Sequence, residues 1–240
     1  MEERNSGLSA RSAVLSALLG CHPPSLAARH LVRIGELFGI AEGTVRVALS
    51  RMVAAGDLVQ ADGRYTLSER LLERQARQDE SRDPHVRAWD GTWEIAVVTA
   101  ERRAPADRAA LRDTMTRLRL GELREGTWMR PANLVREWPD VVTAQCTLID
   151  GRPRATDPTP WLWDLDGWAA EARRLEGALG RATGLAEGFL VSAAVLRHLL
   201  KDPLLPPELL PADWPGEQLR ARYDDFDRGF RRVLLEHIGM

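Results

Sequence analysis

The sequence predicts a multidomain α+β protein with an N-terminal winged helix-turn-helix, a central ferredoxin-like β-α-β-β-α-β domain and a C-terminal helical domain. Three helical patterns lead up to a short hairpin centred on Asp62-Gly63. Strand and helix patterns alternate from Trp89 to Ile149, and long helices with an apolar stripe follow from Trp168. We expect the domains to span 1–68, 89–160 and 161–240, with 69–88 as a charged linker helix.

Composition limits the class of protein before any motif is considered. The chain has 240 residues, of which 44% are hydrophobic and 28% charged, enough for a folded core in two or three domains. No stretch approaches the run of about 20 apolar residues that a membrane span needs, and the N-terminus lacks the pattern of a signal peptide. We therefore expect a cytoplasmic protein. Because the net charge is −2, a DNA-binding surface would have to be a local cluster.

The first 56 residues contain three helical patterns. A first helix is predicted over Ser9–Leu19 and a second over Ala27–Phe38, which Gly39-Ile40 ends. A third begins within 41–44 and closes at Ala55-Gly56, because a glycine commonly follows the C-terminus of a helix. The positions predicted to face the core are Leu31, Ile34, Leu37 and Phe38 in the second helix and Val45, Ala48, Leu49 and Met52 in the third.

The opposite face of the third helix carries groups that suit DNA. The residues predicted to be exposed there are Thr44, Arg46, Val47, Ser50 and Arg51. Short polar side chains and guanidinium groups at this spacing can reach base edges and flanking phosphates in a major groove. The alternative is a structural helical bundle whose arginines are only solvated surface.

A hairpin follows the third helix. Residues 57–61 and 64–67 are β-prone, and Asp62-Gly63 between them supplies the positive φ angles of a tight turn. The order helix, helix, helix, hairpin predicts a winged helix-turn-helix, and Arg64 in the wing is a further candidate DNA contact. Arg11 in the first helix either touches a phosphate or pairs with a neighbouring carboxylate, and the sequence leaves both open.

The next segment is dense in charge. Acidic and basic residues alternate through 69–83, and Leu71 and Leu72 are its large apolar residues. This pattern is typical of a solvated helix held by pairs of opposite charges. We expect it to link two domains.

The central region alternates strands and helices. Strands are predicted over 93–99, near 122–123, over 126–129 and over 141–149, and helices over 106–120 and 132–137. The order β-α-β-β-α-β is that of a ferredoxin-like domain.

The last third is helical around a proline-rich arm. Helices are predicted over 168–179, 185–200 and 217–237. The arm, 204–216, contains too many prolines for a helix interior, so it is predicted to be an extended segment in which Trp214 anchors the following helix. The helices form either a cap on the central domain or, in addition, a dimer interface and part of an effector pocket.

Three blocks of the chain resemble the PaaX-like family of phenylacetate-degradation repressors. The blocks are 8–12 with 38–53, the tryptophan-containing segments 89–93 and 126–131, and 199–216. The resemblance implies a bacterial repressor that binds a palindromic operator as a homodimer and is released by an aryl-CoA thioester such as phenylacetyl-CoA. It also implies that the third helix enters the major groove and that the central domain is similar to a small CRISPR-associated endonuclease. A regulator with another effector, or with none, is the alternative.

An aryl-CoA effector sets requirements on its binding site. It needs arginines for its phosphates and an apolar slot for its acyl group. Arg102, Arg103 and Arg130 beside Trp128 are the candidate residues.

Enzymatic activity is not predicted. The endonuclease fold needs a carboxylate at the end of its first strand to hold a divalent metal ion, and this strand ends in Val98-Thr99-Ala100. Cys21 and Cys146 are too few for a disulfide framework, and no cysteine or histidine pair has the spacing of a zinc site. We predict neither a metal site nor a cofactor, and a metal-dependent nuclease is the alternative from another functional class.

Overall fold

The structure, a computed structural model, describes residues 8–154 and 157–239. These residues form two compact units. Unit 1 comprises 8–82, 174–200 and 218–239, and unit 2 comprises 83–154, 157–173 and 201–217. The residues within each unit contact one another more than they contact the other unit. The domain boundaries predicted from the sequence stay a prediction. None of the helices in the described ranges combines the length and apolar character that crossing a membrane requires.

Unit 1 begins with three helices and a short strand. The hydroxyl of Ser9 accepts a hydrogen bond of 3.1 Å from the backbone N–H of Ser12, so it caps the first helix where the sequence predicts the start. Gly39, with φ of +67°, lies in the turn between the second and third helices, a conformation that favours glycine. The elements are α1 (Ala10–Leu19), β1 (Ser25–Ala27), α2 (Ala28–Leu37) and α3 (Glu42–Ala54).

A three-stranded antiparallel sheet completes this part of unit 1. The predicted hairpin is confirmed as β2 (Leu58–Ala61) and β3 (Arg64–Leu67), joined by Asp62 and Gly63 with φ of 51° and 71°. Strand β1 pairs with the other side of β3, which gives the order β1-β3-β2. The sequence pattern does not indicate β1, because three residues are too short to establish the period of a strand.

The charged helix has a buried face. Helix α4 (Glu69–Arg82) buries Leu71, Gln75, Gln78 and Ser81 within unit 1. The side-chain amide of Gln75 donates hydrogen bonds to the carbonyl oxygens of Leu19, at 2.8 Å, and Cys21, at 3.0 Å. The prediction of a helix is confirmed, and the helix is solvated on one face while it buries the other. Glutamine and serine on the inner face hide the apolar periodicity by which a buried face is usually recognised.

Two C-terminal helices share the core of unit 1. Helices α8 (Leu165–Arg181), α9 (Leu185–Leu199) and α10 (Gly216–Ile238) occupy the three segments predicted to be helical. Phe189, Leu234 and Ile238 from α9 and α10 are buried in the same apolar cluster as Leu31 and Leu49. The ring of Phe38 lies 6.1 Å from Phe189 and 6.3 Å from Phe230 between centroids. The C-terminal helices therefore stabilise the unit that contains α3.

Unit 2 is built around a four-stranded antiparallel sheet in the order β5-β6-β4-β7. Its elements are β4 (Trp93–Val98), α5 (Pro105–Arg117), β5 (Gly121–Arg124), β6 (Thr127–Pro131), α6 (Asp140–Thr143) and β7 (Cys146–Gly151). The predicted element order is confirmed. Ala96 and Trp128 face each other across β4 and β6 and pack with Leu111 and Met115 of α5 in the core.

One helix of unit 2 lies further along the chain than predicted. Residues 132–137 are not helical: the backbone N–H groups of Arg87 and Val135 donate to the carbonyls of Asn133 and His85 at 2.8 and 3.0 Å. Helix α6 instead begins after Pro139, and β7 begins at Cys146 rather than at 141. Pairing with a distant segment overrides the local preference of 132–137.

The proline-rich arm belongs to unit 2. It contains a short 3₁₀ turn at Pro207–Leu209. A short helix, α7 (Thr159–Leu162), precedes α8 in the chain. The Trp214 ring stacks on Trp168, with centroids 4.5 Å apart and an angle of 18° between the planes. Trp214 thus packs the arm against α8, and its anchoring of the following helix stays a prediction.

Candidate functional site

Helix α3 presents a continuous polar face to solvent. All five residues predicted there are exposed: Thr44, Arg46, Val47, Ser50 and Arg51. Val45, Leu49 and Met52 on the other side of the helix are buried, so the helix is held by its apolar stripe while its outer face stays free. A shallow groove along this face is lined by Thr44, Val47 and Arg51.

The two arginines of α3 differ in their partners. The Arg46 Nε donates to Glu42 Oε1 at 2.7 Å, one turn earlier on the same exposed face. Such a pair contributes roughly 0.3–0.5 kcal/mol, so a phosphate can replace the carboxylate at little cost. The Arg51 side chain has no hydrogen bond or ion pair to any described residue. Its guanidinium is available to a ligand.

Arg11 pairs with a carboxylate inside unit 1. Asp57, whose side chain is only 4% exposed, accepts a hydrogen bond of 2.5 Å from Arg11 and another from Arg70. Asp57 lies between α3 and β2, so this cluster joins the starts of α1 and α4 to the base of the hairpin. Arg11 also lines the groove beside α3, and its side chain is 55% exposed. Arg11 thus pairs with a carboxylate within the fold, and a contact from Arg11 to a phosphate stays a prediction.

Arg64 is exposed in the hairpin but is already bound within the fold. Its Nε donates to the Ser25 hydroxyl at 2.9 Å and its Nη2 to the Ser25 carbonyl at 2.7 Å. These bonds connect β3 to β1 through a side chain. Any phosphate contact by Arg64 would use the remaining nitrogen of the guanidinium.

A basic cluster on α2 is absent from the sequence-based candidates. Burial is the largest cause of a lowered pKa at His30. The nearby guanidinium groups of Arg29, Arg64 and Arg33 lower it further. The Arg29 Nε also donates to His30 Nε2 at 3.2 Å. The sequence could have indicated this cluster, because Arg29 and Arg33 lie one turn apart on the outer face of the predicted second helix.

The four candidate effector residues differ in how far solvent reaches them. Arg102 is exposed, Arg103 lies half-buried in the same loop after β4, and Trp128 is part of the core of unit 2 with 6% exposure. Arg130 has no exposed surface. As placed in the fold, Trp128 and Arg130 offer little surface to a ligand that arrives from solvent.

Arg130 instead binds backbone carbonyls of its own unit. Its Nη2 donates to Asn133 Oδ1 at 2.9 Å and to the Leu204 carbonyl at 3.2 Å, and its Nη1 reaches the Pro203 carbonyl at 3.4 Å. Burial lowers the pKa of Arg130 to about 9. The guanidinium fixes the segment before the proline-rich arm onto β6, and local sequence patterns hold no signal for such a long-range contact.

The end of β4, the position that bears on nuclease chemistry, carries no carboxylate. The strand ends at Val98, and the hydroxyl of the following Thr99 accepts a hydrogen bond of 3.3 Å from Thr147. Within 8–154 and 157–239, no three His, Cys, Asp or Glu side chains are grouped so that they could hold a metal ion.

Comparison with known proteins identifies three consecutive matches. Residues 9–71 match the family described as PaaX-like protein, residues 86–148 the PaaX protein central Cas2-like domain, and residues 167–238 the PaaX-like protein C-terminal domain. Among solved structures, the chain is similar to the uncharacterized protein Rv0674 from Mycobacterium tuberculosis. The two share 48% sequence identity with a TM-score of 0.82, over 95% of this chain and 98% of that one. No curated protein matches the chain.

Proposed function

The chain belongs to the PaaX-like family of transcription regulators, and we propose that it is a repressor that binds operator DNA as a homodimer. In this proposal α1, α2, α3 and the β2–β3 hairpin act as a winged helix-turn-helix, with α3 in the major groove. Unit 2 would be a ferredoxin-like domain, and its strand order β5-β6-β4-β7 supports that assignment.

The observation that carries the proposal is the exposed face of α3. Arg51 is unpaired within the described residues, and Arg46 is held only by a weak surface ion pair with Glu42. Thr44 and Ser50 beside them are short enough for a helix to approach base edges closely. An unpaired guanidinium on an exposed helix face leaves a positive charge available to a base edge or a phosphate.

The proposals of a small-molecule effector and of a dimer both rest on the family resemblance. We propose an aryl-CoA thioester as the molecule that releases the repressor, and a palindromic operator as the partner of a two-fold dimer. A regulator with another effector, or with none, remains the competing proposal. Arg102 and Arg103 stay candidates for effector contact because both retain surface that a ligand can reach.

The experiment that tests DNA binding is a gel-shift titration against the region upstream of the protein's own gene. Arg46→Ala and Arg51→Ala should each lose about 1–3 kcal/mol of binding free energy because each removes a base or phosphate contact. Arg232→Ala on α10 is the matched control, since it removes an exposed arginine from unit 1 without touching α3. Unchanged affinity in both α3 variants would contradict the proposed interface.

The same DNA separates a regulator from a nuclease. A regulator binds without divalent metal, and its affinity falls steeply as salt rises because phosphate contacts release counterions. Incubation with Mg²⁺ or Mn²⁺ should leave labelled DNA and RNA intact. Cleavage that a chelator abolishes would instead support the nuclease alternative.

A further inference from the structure

We propose that a cavity in unit 1 binds a small molecule that joins an aromatic or other bulky apolar group to an anionic head. The cavity lies among α1, α4, α9 and α10 and has a volume of about 450 Å³. Sites for small molecules usually measure roughly 300–1,000 Å³. The inference rests on the proposed function for its regulatory meaning, since an effector bound here would act on the unit that reads DNA.

One wall of the cavity is aromatic. Phe189 of α9 and Phe226 and Phe230 of α10 line it. The ring centroids are 6.0 Å apart for Phe189 and Phe230, and 5.7 Å apart for Phe226 and Phe230. Gly188 allows this arrangement, because a Cβ at that position would lie 2.7 Å from the Phe226 ring. The rings offer a flat apolar surface on which a ligand ring can stack.

The two acidic side chains of the cavity contact basic side chains. Asp79 contacts His22 at 3.0 Å and Arg82 at 4.0 Å. Asp227 contacts Arg82 at 3.3 Å and Arg231 at 2.8 Å. The lining as a whole carries five arginines and two aspartates, so its charge is positive.

Two further arginines of the cavity lack such a partner. Arg74 of α4 and Arg197 of α9 both line it, and neither has a hydrogen bond or ion pair within the described part of the chain. Burial and the nearby cations, Arg197 among them, lower the pKa of Arg74. A carboxylate or phosphate between these two guanidiniums would remove their repulsion and accept charge-assisted hydrogen bonds. The same cavity thus combines a positively charged subsite for an anion with an aromatic wall.

The cavity also touches the helices that support α3. Ala17 of α1 and Ile34 of α2 line it. Ile34 is followed by Gly35, which packs directly against Val45 of α3. A ligand that displaces α2 would therefore shift α3 and change the affinity for DNA.

The first test is a fluorescence titration of the full chain with anilinonaphthalene sulfonate, an aromatic monoanion. We expect saturable binding of one dye per chain. Replacing both unpaired arginines, Arg74→Gln with Arg197→Gln, should weaken it by about tenfold or more because charge-assisted hydrogen bonds are lost. Arg77→Gln with Arg232→Gln, at two exposed arginines outside the cavity lining, removes the same number of charges and is the control. Equal affinity in the double variant and the control would overturn the proposal.

Fluorine NMR locates the bound dye independently of the variants. All four phenylalanines belong to unit 1 and all eight tryptophans to unit 2. In protein labelled with fluorophenylalanine, the dye should shift the resonances of Phe189, Phe226 and Phe230. In protein labelled with fluorotryptophan, the Trp128 resonance should stay in place. The opposite pattern would move the ligand site to unit 2 and overturn the assignment.

A third test fills the cavity without changing its charge. Ala193→Leu on α9 adds bulk inside the lining, whereas Ala194→Leu adds the same bulk to the neighbouring position outside it. Dye binding should be lost in the first variant and kept in the second. This pair keeps the proposal falsifiable if the arginine variants fail to fold, and loss in both or in neither would count against it.

Competition identifies the anionic head. Displacement of the dye by phenylacetate indicates a free carboxylate, and displacement by phenylacetyl-CoA alone indicates the thioester and its phosphates. Displacement by neither would overturn the assigned ligand class. Dye binding is measured without DNA, so the two proposals can fail separately. Loss of dye binding with intact DNA binding would contradict the cavity site. Loss of DNA binding with intact dye binding would contradict the proposed function.

Discussion

Gly35 of α2 lies so close to Val45 of α3 that a Cβ at position 35 would come within 2.5 Å of Val45 Cγ2. Real Cβ atoms essentially never approach another atom so closely, so even a methyl group would force the helices apart. This contact fixes the distance between the helix before the turn and the helix that carries the exposed polar face.

Gly35→Ala should therefore destabilise unit 1 and weaken DNA binding together. Overpacking of this kind costs about 1–3 kcal/mol of unfolding free energy. The matched control is Gly229→Ala in α10, where a Cβ meets nothing within 4 Å and removal of glycine from a helix should stabilise by roughly 0.5–1 kcal/mol. Urea unfolding measures both, and a Gly35→Ala variant as stable as the wild type would contradict the close packing.

Asp57→Asn should lower stability more than any change to a surface ion pair of the same unit. The buried carboxylate of Asp57 receives both Arg11 and Arg70, and an amide cannot accept two charged donors equally well. Because both arginines are largely exposed, we expect a loss of about 1–3 kcal/mol, below the cost of breaking a fully buried pair.

Glu42→Gln is the comparison for Asp57→Asn. It removes the exposed partner of Arg46 and should cost less than about 0.5 kcal/mol. Urea unfolding of the two variants should separate them clearly. Similar losses would mean that the Asp57 cluster is as weak as an ordinary surface pair.

Local sequence signals predicted the elements of the candidate site but not the contacts that hold it. Asp62-Gly63 predicted the hairpin because only a few residues tolerate the φ angles of that turn. The stripe through Val45, Leu49 and Met52 predicted which face of α3 is free. In contrast, the buried role of Arg130 depends on Leu204, a residue far away in the sequence, so no periodicity within β6 can reveal it.

The same reason explains why the two unpaired arginines of the proposed ligand cavity were not predicted. Arg74 belongs to a segment that looks solvated, and Arg197 to a helix predicted in a separate domain. Their proximity follows from the packing of α4 and α9 in one unit. An arginine-rich sequence offers many candidate anion sites, and only the fold shows which guanidiniums lack a partner.

Arg130→Gln should destabilise unit 2 without changing the affinity for an anionic ligand. The substitution removes the Arg130 donor from the Pro203 carbonyl and leaves the Leu204 carbonyl with only the Asn133 amide as donor. An unsatisfied buried acceptor costs about 1–3 kcal/mol. Arg102→Gln, in an exposed loop, is the control and should leave stability unchanged. Tryptophan fluorescence reports on unit 2 during unfolding, and a stable Arg130→Gln variant with weakened ligand binding would restore Arg130 to the candidate effector site.

His30 should titrate below the ordinary histidine value of 6.5, as measured by NMR. Burial is the largest cause, and Arg29 the largest among the neighbouring charges. Neutral His30 accepts a hydrogen bond from Arg29 at Nε2, and protonation there would break it. Arg29→Gln should therefore raise the pKa of His30 more than Arg33→Gln does. An equal or reversed order would show that Arg29 does not face the ring.

The lowered pKa of His30 gives stability a defined pH dependence. Since the unfolded chain binds the proton more tightly than the folded one, unfolding free energy should fall as pH decreases through 6.5 and level off below the folded pKa. His30→Gln should flatten this part of the profile, whereas His85→Gln in unit 2 should leave it unchanged. Urea unfolding between neutral pH and the acid side of the His30 titration measures the slope. A profile that keeps its slope in His30→Gln would assign the acid sensitivity to other groups and remove the link between the basic cluster on α2 and the stability of unit 1.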